Sequence, residues 1–396
     1  MIQTSILKVP PFSSELNLLL SFNRIEYNAA ARQALQELTD VPGLNWTEFV
    51  HLVKHHRAYP TVYANISKLQ LSTIPAEVVQ ALRSEYNDNT FQMLLFTAEM
   101  VEVSKCFEEN HIRSLVLKGP VVAQRLYGDI NRRTCKDLDI LVPYQQIEQA
   151  EKLLLARGYV PDDDEDQILN DREWTIHHLA YTHPITRIQV ELHWRLNSDR
   201  RTEPSFDELW ERRNTSDINN SPVAFLGDED LFLFLILHGA RHGWFRIRWL
   251  IDIDRLLQIE LNWNHAHQLL KKHGALQIAG QAIILANQLL GTPITDELIP
   301  LAQGNRPRKL AEKATVFIRE CITLSPVPRE LDLYYRRYLF QLCTMNQKML
   351  FIISLLYPNK RDVETLPLPK RLYALYFPLR PILWFWRRVK QQAASS

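Results

Sequence analysis

The chain has 396 residues, 46% of them apolar and 23% charged, with a formal net charge of +1. This is an ordinary globular mixture, long enough for two or three folding units, with no global field to draw it to nucleic acid or to an anionic membrane. The four cysteines (Cys106, Cys135, Cys321 and Cys343) lie far apart without a CxxC pair, which argues against a structural zinc site and a disulfide framework.

The N-terminus, "MIQTSILKVPPFSSELNLLLSF", has neither the basic start nor the cleavage site of a signal peptide, so a cytoplasmic location is expected. Residues 1–110 read as a helical region. "SELNLLLSFNRI", "NWTEFVHLVKHHRAYPTVYANISKL" and "NDNTFQMLLFTAEMVEVSKCFEENHI" carry apolar residues at helical spacing. Ser14 and Asn45 are the expected N-caps of the first two.

The pattern changes over residues 111–200. "SLVLKG" is a short apolar strand that ends in Gly119, and Pro120 suits the first position of a helix over "PVVAQRLYG". "DLDILV" is a second strand, and "YQQIEQAEKLLLARGY" an amphipathic helix closed by Gly158. An acidic loop, "PDDDEDQILNDRE", follows. "WTIHHLAYTH" and "RIQVELHWRL" then flank "PIT", as two antiparallel strands about a short turn would. From residue 201 to 396 helices return, among them "DEDLFLFLILHGARHG", "IRWLIDIDRLLQIE" and "NHAHQLLKKHG". The uncharged stretch 274–295 is interrupted by Gln277, Gln281, Asn287 and Gln288, and reads as a packed helix rather than a membrane span.

Asp137 and Asp139 sit in the apolar run of the second strand. Alternation puts both on one face and Leu138, Ile140 and Val142 on the other, with the two carboxylates about 7 Å apart at Cα. "IQVELHW" splits the same way, with Glu191 and His193 opposite Val190, Leu192 and Trp194. Acids gathered on one uncovered sheet face repel one another unless a cation joins them, and hard oxygen donors suit Mg²⁺ or Mn²⁺. An Asp-x-Asp alone is common on a solvated strand face. Here Lys118-Gly119 leads into a helix N-terminus upstream, a ready anion site, and Glu191 supplies a third acid downstream.

These residues carry a resemblance. "LVLKGPVVAQRLYGDINRRTCKDLDILV", followed by "EKLLLARGY", "HHLAY", "VELHW" and "LHGARHGWFRIRWLIDI", resembles the uncharacterised nucleotidyltransferase family of bacterial proteins, within the DNA polymerase β-like nucleotidyltransferase superfamily. The resemblance implies an α+β fold: a small mixed-sheet nucleotidyltransferase core with helices on one face, embedded between N- and C-terminal helical regions. It implies that Asp137, Asp139 and Glu191 are the catalytic, metal-holding acids. Lys118-Gly119 stands where the superfamily has Gly-Ser, so a serine contact to phosphate is absent and Lys118 would supply charge. Arg133 matches a basic residue four before the first Asp and would help to neutralise a triphosphate. The implied cofactor is Mg²⁺ or Mn²⁺. The implied reaction is transfer of a nucleoside monophosphate from an NTP, with ATP the expected donor, to an unidentified small-molecule, peptide or protein acceptor. A non-catalytic nucleotide-binding or antitoxin-like protein with the same core is the alternative.

Other clusters weigh less. His238 and His242 lie one helical turn apart without HExxH or an evident third ligand; His242, and His193 on the strand, are candidates to touch nucleotide. Asp252 and Asp254 form a second Asp-x-Asp, but at helical spacing the two diverge by about 200°, and Asp252 is expected to pair with Arg248. His177 and His178 carry the weakest signal. The basic, aromatic segment 370–390 is open to peripheral membrane contact or to docking on the helical body, and no nucleic-acid module appears. The chain lacks GxxxxGK[ST], GxGxxG and GxSxG, which leaves P-loop, dinucleotide-binding and α/β-hydrolase chemistries without support.

Overall fold

A computed structural model describes residues 7–162, 176–197, 202–218, 220–322, 324, 326–355, 357–358 and 360–393. The acidic run at 162–166 lies, apart from Asp162, outside the described residues.

Five helices open the chain: α1 (Ser14–Ser21), α2 (Ala29–Thr39), α3 (Trp46–His55), α4 (Tyr59–Leu69) and α5 (Ala76–Glu109). Asn45 caps α3 by accepting from the Glu48 amide, as expected, whereas α1 is capped one residue earlier than expected, by Ser13. The 34-residue α5 contains neither Gly nor Pro, so nothing in its interior breaks it.

A seven-stranded mixed sheet follows, making the fold α+β with helices at both ends of the chain. Its strands are β1 (Leu115–Val116), β2 (Leu138–Leu141), β3 (Val160–Pro161), β4 (His178–Thr182), β5 (Gln189–His193), β6 (Asn214–Ile218) and β7 (Ser221–Phe225), in the order β3-β4-β5-β2-β1-β7-β6. Among the described residues, three α-helices lie between the strands: α6 (Pro120–Tyr127) between β1 and β2, α7 (Ile147–Ala156) between β2 and β3, and a short one, Phe206–Glu211, between β5 and β6. The β4–β5 hairpin forms where the alternation predicts it, with His178 opposite His193 and Tyr181 opposite Val190.

The sheet does not stop where helices were expected to return. Residues 214–225 form a second hairpin, and Phe225 pairs in parallel with Val116, so this hairpin extends the sheet beside β1. Asn220, at φ +59, turns it. The Asn219-Asn220 dipeptide is the local signal that marks such a turn.

The 274–295 stretch is a buried helix, Leu276–Leu285, continued by a π-helical turn to Leu290 and ended by Gly291 at φ +79. No helix among the described residues is long and apolar enough to cross a membrane. Near the C-terminus, Asp362 is fully buried and holds both Arg380 and Arg387. The helix carrying these arginines, Tyr376–Ala393, buries Leu383 and exposes Ile382 and Phe385.

One buried ion pair ties the loop before β2 to the helical body. Arg133 Nε and Nη2 donate to Asp252 of the Ile247–Leu256 helix at 3.0 Å each, and both side chains are essentially inaccessible. Tyr127 at the end of α6 donates to the same carboxylate at 2.8 Å. The expected Asp252–Arg248 pairing is therefore replaced by Arg133, while Arg248 donates to the Thr134 carbonyl and, at 3.0 Å, to its hydroxyl. Asp254 points elsewhere and accepts from Thr292, as the helical divergence of the two acids requires. Removing one partner of such a pair strands a charge in the interior. Asp252→Ala is expected to destabilise the chain by about 3–5 kcal/mol, measured by chemical denaturation; a loss below about 1 kcal/mol would show that Arg133 finds water or another partner.

Candidate active site

The site is built by strand register. β2 and β5 run parallel with Asp139 directly opposite Glu191, and paired residues project from the same face. His193, two residues after Glu191, shares that face, and its partner across β4 is His178. The residue opposite Glu191 on β4 is Ala180, whose small side chain leaves the carboxylate room. Four chemistry-bearing side chains on three adjacent strands thus meet on one face.

At two of its positions that face is buried, contrary to the expectation of an open one: Asp139 is 1% and His193 4% exposed, while Glu191 and His178 are half-exposed. A buried carboxylate needs compensation, and two groups supply it. The Lys118 ammonium lies 2.9 Å from Asp139 Oδ1, and His193 Nε2 lies 3.1 Å from the same oxygen. His193 Nε2 is also 3.2 Å from Glu191 Oε2 and so bridges the two acids.

The ionisation of these groups follows from that geometry. Burial pushes the Asp139 carboxyl up, but the Lys118 charge and the His193 hydrogen bond outweigh it and hold the acid below its usual range. Burial likewise opposes the charge on Lys118, yet Asp139, Asp137 and Glu191 together raise its pKa. Burial would deprotonate His193, but hydrogen bonds to Asp139 and Glu191 raise it to about 9. Burial of Glu191 is overcome by His193, which lowers the acid to about 2.

Not every expected residue joins this group. Asp137 precedes β2 and is half-buried; its charge is felt by Lys118 and Glu191, but the donors that converge are Asp139, Glu191 and His193. Arg133, expected to meet a triphosphate, is engaged by Asp252 in the interior and has no free face to offer a phosphate. His242 stacks on Trp249 at 5.1 Å and lies 4.8 Å from His238. Burial, together with Arg241 and Lys118, pushes it down to about 3, so it is neutral and gives a phosphate no positive charge. Gly119, at φ +91 and ψ −143, enters α6 through a conformation that other residues rarely adopt, and no side chain caps the helix it opens.

The donor set fits a hard divalent cation. Asp139 Oδ2 is buried without a hydrogen-bond partner, and the Glu191 carboxylate lies across the strand pair. Oxygen donors of this kind suit Mg²⁺ or Mn²⁺. A second cluster of possible ligands, His55, His56 and Cys321, suits a cation less well. The charge of Arg246 bears on both imidazoles, and the Ile247 amide donates to His56 Nδ1.

If Lys118 and Asp139 neutralise each other, their removal is not additive. Lys118→Met and Asp139→Asn are each expected to destabilise, with the double variant less affected than the sum by about 1–3 kcal/mol. A thermodynamic cycle from urea denaturation measures this, and a coupling near zero would mean that His193 alone compensates the acid.

Residues 42–291 match the profile of the uncharacterised nucleotidyltransferase family. A comparison with curated proteins finds no match. Among solved structures, an antigenic nucleotidyltransferase-like protein from Paracoccidioides brasiliensis is 16% identical, over 50% of this chain and 93% of that one, with a TM-score of 0.33. The antibiotic-resistance factor ANT(2'')-Ia is 9% identical, over 47% of this chain and 98% of that one, with a TM-score of 0.29. Neither likeness is close enough to bear on mechanism. The profile match spans more than half of the sequence and includes every strand of the sheet and both acids of the β2–β5 pair: the chain belongs to the uncharacterised nucleotidyltransferase family.

Proposed function

We propose that the chain transfers a nucleoside monophosphate from an NTP, with ATP the first candidate, to an acceptor nucleophile, in a reaction that depends on Mg²⁺ or Mn²⁺. The observation that supports this best is the Asp139–Glu191 register pair, with Asp139 buried against Lys118 beside the α6 N-terminus. Within the family, nucleotide handling falls to residues 111–200, and acceptor recognition to the flanking regions at 1–110 and 201–396, the latter helical beyond the 214–225 hairpin.

In this reading Asp139 and Glu191 hold the cation, with Asp137 placed to add a further oxygen. The bound cation would draw charge from the triphosphate oxygens and stabilise the leaving pyrophosphate. Glu191, held near 2, is a poor base and serves better as a ligand. Lys118 is positioned to trade its contact with Asp139 for one with a phosphate oxygen, which keeps the buried charge balanced when nucleotide enters. The uncapped amides at the start of α6 offer a second anion contact, and Gly119 allows a phosphate to approach the backbone closely. An acceptor oxygen then bonds to the α-phosphorus in line as the bond to the pyrophosphate oxygen breaks. The acceptor proton leaves to solvent or to Asp137, and pyrophosphate departs with the electron pair.

Thermal unfolding of the purified chain against a panel of NTPs, with and without Mg²⁺, tests the proposal. A nucleotide at 100 times its dissociation constant should add about 2.7 kcal/mol of stability. The stabilisation is expected with Mg²⁺ only and should disappear in Asp139→Asn. Stabilisation that needs no divalent cation, or that persists in the variant, would place nucleotide binding elsewhere.

A further inference from the structure

His177 and His178 carry little signal in the sequence, and nucleotide transfer as proposed above does not use them. The fold nevertheless gathers them around His193. The His178 and His193 rings stack with centroids 4.9 Å apart and planes inclined by 28°. The His177 ring lies 5.6 Å from that of His193, and its Nε2 is 3.1 Å from His178 Nδ1. One ring nitrogen from each of the three lies within 4.8 Å of the others.

His193 is the informative member. Its Nε2 faces Asp139 and Glu191, while its Nδ1 is buried without a partner. A histidine that ligates a metal through one ring nitrogen usually gives the other to a carboxylate, which fixes the ring and makes the ligating nitrogen more basic. His193 has the carboxylate half of that arrangement twice over, and its second nitrogen is unused.

We propose that His177, His178 and His193 form a three-imidazole site for a borderline transition metal such as Zn²⁺ or Co²⁺, with Asp139 and Glu191 as the carboxylates behind His193. Imidazole nitrogens select such ions over Mg²⁺, which prefers oxygen. Arg241 and Arg195 stand close enough to His177 to oppose a cation, and Asp139 and Glu191 supply the negative charge that offsets them. Neither His177 nor His178 is fully buried, so a fourth position is left open to water or substrate, as in three-histidine catalytic sites. The site adjoins the proposed nucleotide site but differs from it in donor chemistry, so either can exist without the other.

The test uses the full-length chain, stripped with chelator and titrated with Co²⁺. One Co²⁺ per chain is expected, with the visible absorption of a low-coordinate, nitrogen-ligated ion. His177→Ala and His178→Ala should each weaken binding at least about tenfold, with circular dichroism confirming that they fold. Cu²⁺ bound to the unaltered chain should show nitrogen hyperfine couplings, which keeps the test independent of variants that fail to fold. No bound Co²⁺, or an affinity and spectrum unchanged in both variants, would overturn the inference. NTP stabilisation measured in Mg²⁺ on the same samples separates the two readings. Mg²⁺-dependent stabilisation without Co²⁺ binding rejects only the imidazole site, and Co²⁺ binding without stabilisation supports that site and rejects the nucleotide reading.

Discussion

A carboxylate in the middle of a buried strand is the constraint around which this structure is organised. Asp139 is flanked on β2 by Leu138 and Ile140, both fully buried, and its own face is closed as well. An isolated charge there would neutralise itself by taking up a proton rather than bear the cost of desolvation. Lys118 and His193 prevent this, and each comes from a different strand or its edge: Lys118 just beyond β1, His193 at the end of β5. The charge balance of the site therefore depends on the register of three neighbouring strands, and a slip of one residue in any of them would turn the needed group to the opposite face.

The helical body maintains that register from outside. β1 is only two residues long, too short to hold its place by its own hydrogen bonds. It is gripped by β2 on one side and by β7 on the other, and α6 leads directly from it. Arg133, Tyr127 and Asp252 then bind the far end of α6 and the loop before β2 to the Ile247–Leu256 helix. The buried pair that keeps Arg133 away from the Asp139 site also sets the approach to the strand that carries Asp139. The Asp228–Arg241 helix borders the site too: burial first, and with it the Lys118 charge, lowers the protonation of His238 and His242 near its end.

Much of this was legible in the sequence because it follows from period and turn chemistry. Alternation in "DLDILV" and "VELHW" put Asp139, Glu191 and His193 on shared faces, and Lys118-Gly119-Pro120 marked a strand end and a helix start. What alternation does not reveal is which positions of a face become covered, so the acids were expected on an open face, whereas Asp139 is buried. Arg133 and Asp252 are 119 residues apart, and no local pattern links them. His242 read as a nucleotide contact because its charge depends on burial and on Arg241, both set by packing. His177 and His178 gain meaning only from the β4–β5 register, which brings them to His193. The 214–225 hairpin was missed because its alternation is mostly polar, although its Asn-Asn turn was there to be read.

In the proposed function the Asp139–Glu191 pair serves group transfer and not nucleotide binding alone. The most direct measurement incubates the chain with NTP labelled at the α- or the γ-phosphorus, together with Mg²⁺ and a cell extract as the source of acceptor. The α-label, and not the γ-label, is expected to pass to an acceptor, and Asp139→Asn and Glu191→Gln to abolish the transfer. Transfer of the γ-label, or α-label transfer undiminished in both variants, would contradict the proposed function.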